Sequence, residues 1–202
     1  MNIDFDNLDR KQAHELFTCL ISPRPIAWIS TVAEDGTYNL APFSFFNGIS
    51  SRPPILLVSI GRRKGQKKDT IRNIEYSGDF VVNAVDESLA EKMNQTSADY
   101  PPNISEFKET GLTPLPGDKV KSPRLAESPV SMECVLLQVL QMGRIADNYS
   151  VVLGEVVRVH VRDTVIRNGE IDMSQLRLVA RMGRDLYCRS RDIFEMKRPT
   201  YP

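Results

Sequence analysis

The sequence predicts a mainly β fold, a six-stranded antiparallel barrel with short peripheral helices. Three observations carry this expectation. Runs of β-formers recur along the chain, most clearly in "PPILLVSIG", "VSMECVLLQVLQMG" and "SVVLGEVVRVHVRD". They are bounded by turn signals such as Pro53-Pro54 and Gly61. Six strands with only short helices outside them would leave exposed edges, and closing the sheet removes those edges.

The elements follow in order. Residues 7 to 20 carry Leu8, Ala13, Leu16, Phe17 and Leu20 at three- and four-residue spacing, which predicts an amphipathic helix ended by "SPRP", within an N-terminal helical segment 1–22. "PIAWISTVAEDGTYNLAPF" predicts a hairpin, because β-formers on either side meet at "EDG", where Gly36 readily takes positive φ. "PPILLVSIG" is the third strand. In "KKDTIRNIEYSG", Ile71 and Ile74 share one face and Gly78 is a stop, so a short helix precedes a fourth strand, "DFVVNAV". Residues 87–129 form a helix and loop excursion: a helix from about Ser88 to Gln95, then a Pro-rich, charged stretch anchored by Leu112 and Leu115. Two long β-patterns joined by "RIADNY" complete the set. The whole chain, 1–202, reads as a single domain without internal repeats.

Composition excludes several functions. The 26 basic and 26 acidic side chains cancel, so no global field recruits nucleic acid or an anionic membrane, and any anion site must be local. Cys19, Cys134 and Cys188 are odd in number and form no CxxC, which argues against a disulfide framework and for a reducing compartment. The acidic, polar N-terminus is not a secretory signal, and no apolar run is long enough to span a bilayer. A cytoplasmic protein is expected. His14 and His160 have no partner at metal-ligand spacing, so no metal is expected. No GxSxG elbow or GxGxxG fingerprint occurs, and "GRRKGQK" fails Walker A spacing. An enzyme of this sequence would depend on a bound organic cofactor.

Two segments could hold one. "GRRKGQKKDTIRN" gathers Arg62, Arg63, Lys64, Lys67, Lys68 and Arg72 about a helix start; helix N–H groups, the dipole and the Thr70 hydroxyl together suit a phosphate. Taken alone, the same run reads more readily as a solvated basic turn capped by Asp69 or Thr70. "APFSFFNGIS" offers backbone polar groups near Pro42, small side chains at Ala41 and Ser44, and apolar surface from Phe45 or Phe46, a mixture that matches a flavin ring. Its phenylalanines also read as plain core, with Asn47 a turn residue. The two segments lie one strand apart.

"SPRPIAWISTVAEDGTYNLAPFSFFNGISSRPPILLVSIG", followed by "KKDTIRNIEYSGDFVVN", resembles the flavin reductase-like proteins with an FMN-binding split β-barrel, a group that includes flavoredoxins. "VARMGRDLYCRSRDIFEMKRP" resembles that family's C-terminal pattern at Arg181, Gly183, Tyr187, Phe194, Arg198 and Pro199. The resemblance implies a homodimer with FMN near the subunit interface. It places Ala41, Pro42, Ser44, Phe45 and Asn47 around the ring, and Ser59, Lys68 and Thr70 at the phosphate. Ser30 and Thr31 would line the ring or the ribityl side. Arg181 either reaches the cofactor or holds the tail by a salt bridge. Trp28 is assigned to the core, although strand alternation leaves its face undecided. Arg184 departs from the pattern, since many relatives carry glycine there, and its long side chain would narrow the substrate face. The implied activity is electron transfer from NADH or NADPH to flavin or a downstream acceptor. The alternatives are an FMN-binding electron carrier reduced by a partner protein and a non-catalytic flavin-binding module.

Overall fold

The computed structural model describes residues 1–143 and 148–201. Its main sheet contains seven strands, all antiparallel: β1 Ala27–Val32, β2 Tyr38–Phe43, β3 Phe46–Ser51, β4 Pro54–Gly61, β5 Asp79–Asn83, β6 Val130–Met142 and β7 Tyr149–Val161. Their order is β2-β1-β5-β6-β7-β4-β3. The expected count of six is therefore corrected to seven. The addition is β3, drawn from the second half of "APFSFFNGIS", where Phe46 pairs with Val58 and Ser51 with Pro54 across a register shift at Gly48/Ser50. Pro42 falls on β2 and Gly48 on β3; both are edge strands and β3 carries a bulge, so neither residue interrupts an interior ladder. β2 and β3 end the hydrogen-bonded order, so no ladder joins them among the described residues. Ser44 and Phe45 link them covalently, and the Phe45 carbonyl accepts from Ser59 N–H at 2.8 Å.

The predicted hairpin is β1-β2, with Gly36 at φ 83° in its turn. β1 is buried on both faces. Ala27 and Ile29 join Phe43, Val58, Phe80 and Val152 in one apolar cluster, while Trp28 joins Leu40, Met93, Phe107 and Leu125 in a second. That settles the face of Trp28: it is fully buried, and its indole N–H donates to Thr96 Oγ1 at 2.9 Å. Helix α2, Asp69–Ser77, caps the first cluster with Ile71 and Ile74 and ends at Gly78, in the left-handed region at φ 76°.

Helix α1, Arg10–Leu20, starts at a capping box between Asp9 and Gln12. Its apolar face is not covered by its own chain: Phe17 and Leu20 are exposed, and only Thr18 is buried. The excursion at 87–129 contains α3, Ala90–Gln95, and is pinned rather than loose. Asp79 accepts from Lys121 N–H and Ser122 N–H, each at 3.0 Å, and Glu133 accepts from Asp118 N–H at 2.8 Å and Lys119 N–H at 2.7 Å. Most of the "RIADNY" connection lies outside the described residues.

Gly154 on β7 lies against the buried Phe80 ring, and a Cβ there would sit 2.5 Å from Phe80 Cζ. Gly154→Val is expected to destabilise the fold by about 1–3 kcal/mol through overpacking. Urea denaturation of the variant beside the parent checks this; an unchanged midpoint would mean that Phe80 moves freely.

Candidate functional site

Three adjoining hollows meet at Pro42 and Phe43, where β2 leaves the sheet. The first, about 400 Å³, runs from Ala41 along the start of α2 to residues 96–106. The second, about 470 Å³, lies between α1, Ser44-Phe45, Tyr149 and the 181–184 turn. A smaller one of about 260 Å³ reaches Tyr187. Lys68 borders both larger clefts.

Lys68 is the N-cap residue of α2 and makes no side-chain cap. Neither Asp69 nor Thr70 caps the helix, as the basic-turn reading expected. Among the described residues, no acceptor meets the N–H groups of Asp69 and Thr70, so the helix presents free donors to the first cleft. The Lys68 ammonium lies 5.5 Å from the Phe43 ring centroid and has no carboxylate within ion-pair distance among the described residues. Partial desolvation at the cleft edge holds its pKa below the usual lysine value, with Asp99 opposing and Arg63 reinforcing, while the residue as a whole stays exposed. An ammonium without a direct ion-pair partner at the mouth of a cleft favours an anion there. Glu106, on the far wall, is committed elsewhere: it accepts from Asn39 Nδ2 at 2.7 Å and Leu40 N–H at 2.9 Å. Burial raises its pKa above the ordinary carboxylate range.

The second cleft is more strongly cationic. Arg24 is buried; it donates to the carbonyls of Thr18 and Met182 and to Ser44 Oγ at 3.4 Å, and lies 5.8 Å from the Phe45 ring centroid. Burial lowers its pKa, and Arg181 lowers it further. Arg181 lies over Tyr187, 4.5 Å from its centroid, and reaches Asp185 at 3.6 Å. Arg181 borders the cleft, and its ion pair is local to the 181–185 turn. Arg184 sits at φ 55°, a left-handed backbone that glycine adopts without strain. Gly183 has no room for a side chain, since a Cβ would meet Cys19 Sγ at 2.2 Å.

Of the residues singled out in the sequence, Ala41, Pro42, Ser44, Phe45, Ser59, Lys68, Thr70 and Arg181 border these clefts. Ser30, Thr31 and Asn47 do not. Ser30 is buried, donating to the Pro123 carbonyl and accepting from Asn83 Nδ2 at 3.0 Å. Thr31 accepts from Asn73 Nδ2 at 3.0 Å, also in the interior. Asn47 is exposed on β3, its Oδ1 accepting from Gly48 N–H at 2.8 Å. Sequence reasoning missed Arg24 and Tyr149, although the Arg in "SPRP" beside a strand start was a visible signal. It also missed that His160 meets Glu133 at 2.6 Å and Asp118 at 4.0 Å. The Glu133 oxygens are occupied by His160 and two backbone donors, which makes this trio a clamp on the excursion.

The fold and its clefts define a mainly antiparallel β protein with cation- and aromatic-lined hollows at one strand exit. The chain belongs to the flavin reductase like domain family, whose model matches residues 20–178. Nitrilotriacetate monooxygenase component B from Bacillus cereus is 34% identical, with a TM-score of 0.93, covering 97% of this chain and 98% of that one. Pseudomonas fluorescens 2-nitrobenzoate 2-nitroreductase is 30% identical, with a TM-score of 0.90, covering 100% and 98%. A Shewanella frigidimarina protein assigned as a flavin reductase with a split barrel domain is 27% identical, with a TM-score of 0.84, covering 98% and 100%.

The Thr70 hydroxyl donates to Asn39 Oδ1 at 2.9 Å within the Asn39–Glu106 network. Thr70→Val is therefore expected to cost about 1 kcal/mol of stability through the lost hydrogen bond. Chemical denaturation measures it, and a variant as stable as the parent would show that the hydroxyl is not tied to Asn39.

Proposed function

We propose that the chain binds FMN across the junction of the two larger clefts and passes electrons from NADH or NADPH to the flavin or to a downstream acceptor. One observation carries this reading: Lys68, a cation at the cleft edge with no carboxylate in ion-pair range among the described residues, stands between the uncapped start of α2 and the aromatic floor of Phe43 and Phe45. The site has donors for a phosphate on one side and an apolar wall for a ring on the other. Bound there, the flavin supplies the hydride chemistry.

The chain's own residues position and shield. The N–H groups of Asp69 and Thr70, with Lys68, receive the phosphate. Ala41, Pro42 and Ser44 keep the wall low, so that the ring reaches the backbone beside β2. Phe45, packed edge-on to Phe17 at 6.2 Å between centroids, covers the apolar end. Ser59 and Arg181 border the same space. Ser30, Thr31 and Asn47 act behind the wall or outside it. No side chain needs to serve as a nucleophile.

The protein is further read as a homodimer. Phe5, Phe17, Phe45, Met142 and Tyr149 line an open apolar hollow of about 1210 Å³, and Leu137, Leu140 and Val159 are exposed on β6 and β7. Apolar surface of this extent favours burial by a second copy. Among the described residues no helix is long and apolar enough to cross a membrane, in keeping with the proposed cytoplasmic location. The electron-carrier reading, with a redox partner protein as donor, rests on the same site and differs in what reduces it.

Purified protein mixed with FMN is expected to retain flavin absorbance after gel filtration, and NADH or NADPH alone is expected to bleach it. Retained flavin that only a partner protein reduces would favour the carrier. Lys68→Met should weaken FMN about 10- to 150-fold, the worth of a charge-assisted contact, while riboflavin changes little; equal losses for both flavins would remove Lys68 from the phosphate. Ser44→Leu should lower bound FMN per folded protein with little change in melting temperature. Stoichiometric flavin in that variant would overturn the ring wall.

A further inference from the structure

Past Arg191 the chain continues as an arm that its own fold does not hold. From Asp192 to Tyr201 it is extended, and among the described residues none of these makes a hydrogen bond, ion pair or ring contact. Yet the arm is apolar where a solvated tail would be polar: Phe194 is 76% exposed and Met196 81%, with Ile193 and Tyr201 also in water. Extended backbone alternates its faces, so Asp192, Phe194 and Met196 share one side and Ile193 lies on the other. The root is fixed. The 182–186 turn packs on the end of α1 through Gly183 and Cys19, and the short strand Tyr187–Arg189 carries the chain away from there. Ser190 N–H then donates to the Leu178 carbonyl at 2.9 Å, and Arg191 Nε to Glu87 Oε1 at 2.6 Å. Between Asp192 and Arg198 no glycine, asparagine or proline offers a turn. The arm therefore runs outward, up to about 33 Å at full extension, instead of doubling back onto its own apolar hollow.

We propose that this arm crosses to a second copy of the chain and seats Phe194 and Met196 in that copy's apolar hollow, beside Phe5, Phe17 and Met142, the two arms exchanging about a twofold axis. The exchange rests on the homodimer reading and names the segment that fills the hollow. Arm and hollow are each without an occupant in the single chain, for Phe5, Phe17 and Met142 are about half exposed. A phenyl ring and a flexible thioether fill an irregular apolar space without needing polar partners. Charge agrees with this seating. Arg10 and Lys11 border the hollow, whereas the arm carries Asp192 on the same face as Phe194, so an acid meets a basic rim as the ring enters. A twofold operator makes the contact reciprocal, and each arm residue then counts twice in the stability of the dimer.

Sedimentation equilibrium of full-length variants tests the exchange. Phe194→Ser should weaken dimerisation at least about 100-fold, since one buried phenyl is lost from each arm. Ile193→Ser, on the opposite face, should change it by less than about fivefold. Both side chains stand in water in the separate chain, so each variant is expected to keep the parent's circular dichroism spectrum. A photoreactive benzoylphenylalanine in place of Phe194, in dimers mixed from isotopically light and heavy chains, locates the contact; light-to-heavy cross-links to α1, Phe5 or Met142 are expected. Cross-links confined within single chains overturn the proposal, because the arm would then fold back on its own body. Light-to-heavy cross-links that reach only the face carrying Leu137 and Val159 overturn it as well, by placing the arm outside the hollow. A parent dimer that Phe194→Ser leaves intact sinks the exchange and keeps the homodimer, whereas a parent that sediments as a monomer sinks both.

Discussion

The burial of β1 on both faces is the constraint on which the rest depends. A strand in an open antiparallel sheet normally shows one face to water, but here Ala27 and Ile29 enter one cluster and Trp28 the other. Full burial of an aromatic of this size contributes on the order of 4–6 kcal/mol at the usual area coefficient, and the indole N–H stays satisfied through Thr96. With β1 locked, its hairpin partner β2 has no freedom of register, because slipping by one residue would exchange its two faces. Pro42 pairs with Trp28 and Phe43 with Ala27. The exit of β2, where the clefts meet, is therefore placed by the core.

Electrostatics then decides what that exit can hold. The whole-chain charges cancel, but their distribution does not. Carboxylates are drawn inward to structural duties: Asp79 and Glu133 pin the excursion, and Glu106 braces Asn39 and Leu40 N–H. Cations remain along the clefts: Arg63, Lys67, Arg72 and Arg181 pair with acids, whereas Arg24 and Arg62 are held by neutral carbonyl and amide oxygens. A carbonyl orients a guanidinium without neutralising it, so the local field persists where water is partly excluded.

Much of this was legible in residue order. Gly36 marked the first hairpin, Ile71, Ile74 and Gly78 marked α2, and the β-formers of β4 to β7 marked themselves, because local propensity and turn chemistry agree there with the final fold. The two site segments were also legible, since a Pro-rich strand exit and a basic helix start each have a compositional signature. The faces were not. Thr31 and Ser30 look like ligand contacts in a strand but bond inward to Asn73 and Asn83, residues 42 and 53 positions away. β3 was hidden because an edge strand with a bulge and a glycine carries little alternation.

Residue order thus specified every main-sheet strand but β3, the hairpin and the kinds of group near the site, for these rest on contacts within a few positions and on backbone preferences carried by each residue. Which cations share a cleft was decided in three dimensions. Arg24, Arg62 and Arg184 are separated by long stretches of chain and come together because α1, β4 and the 181–184 turn all pack about the end of β2. The same packing gives Thr70 to Asn39 and His160 to Glu133. No local pattern encodes such pairings, since they exist only once the double burial of β1 has set where each strand ends.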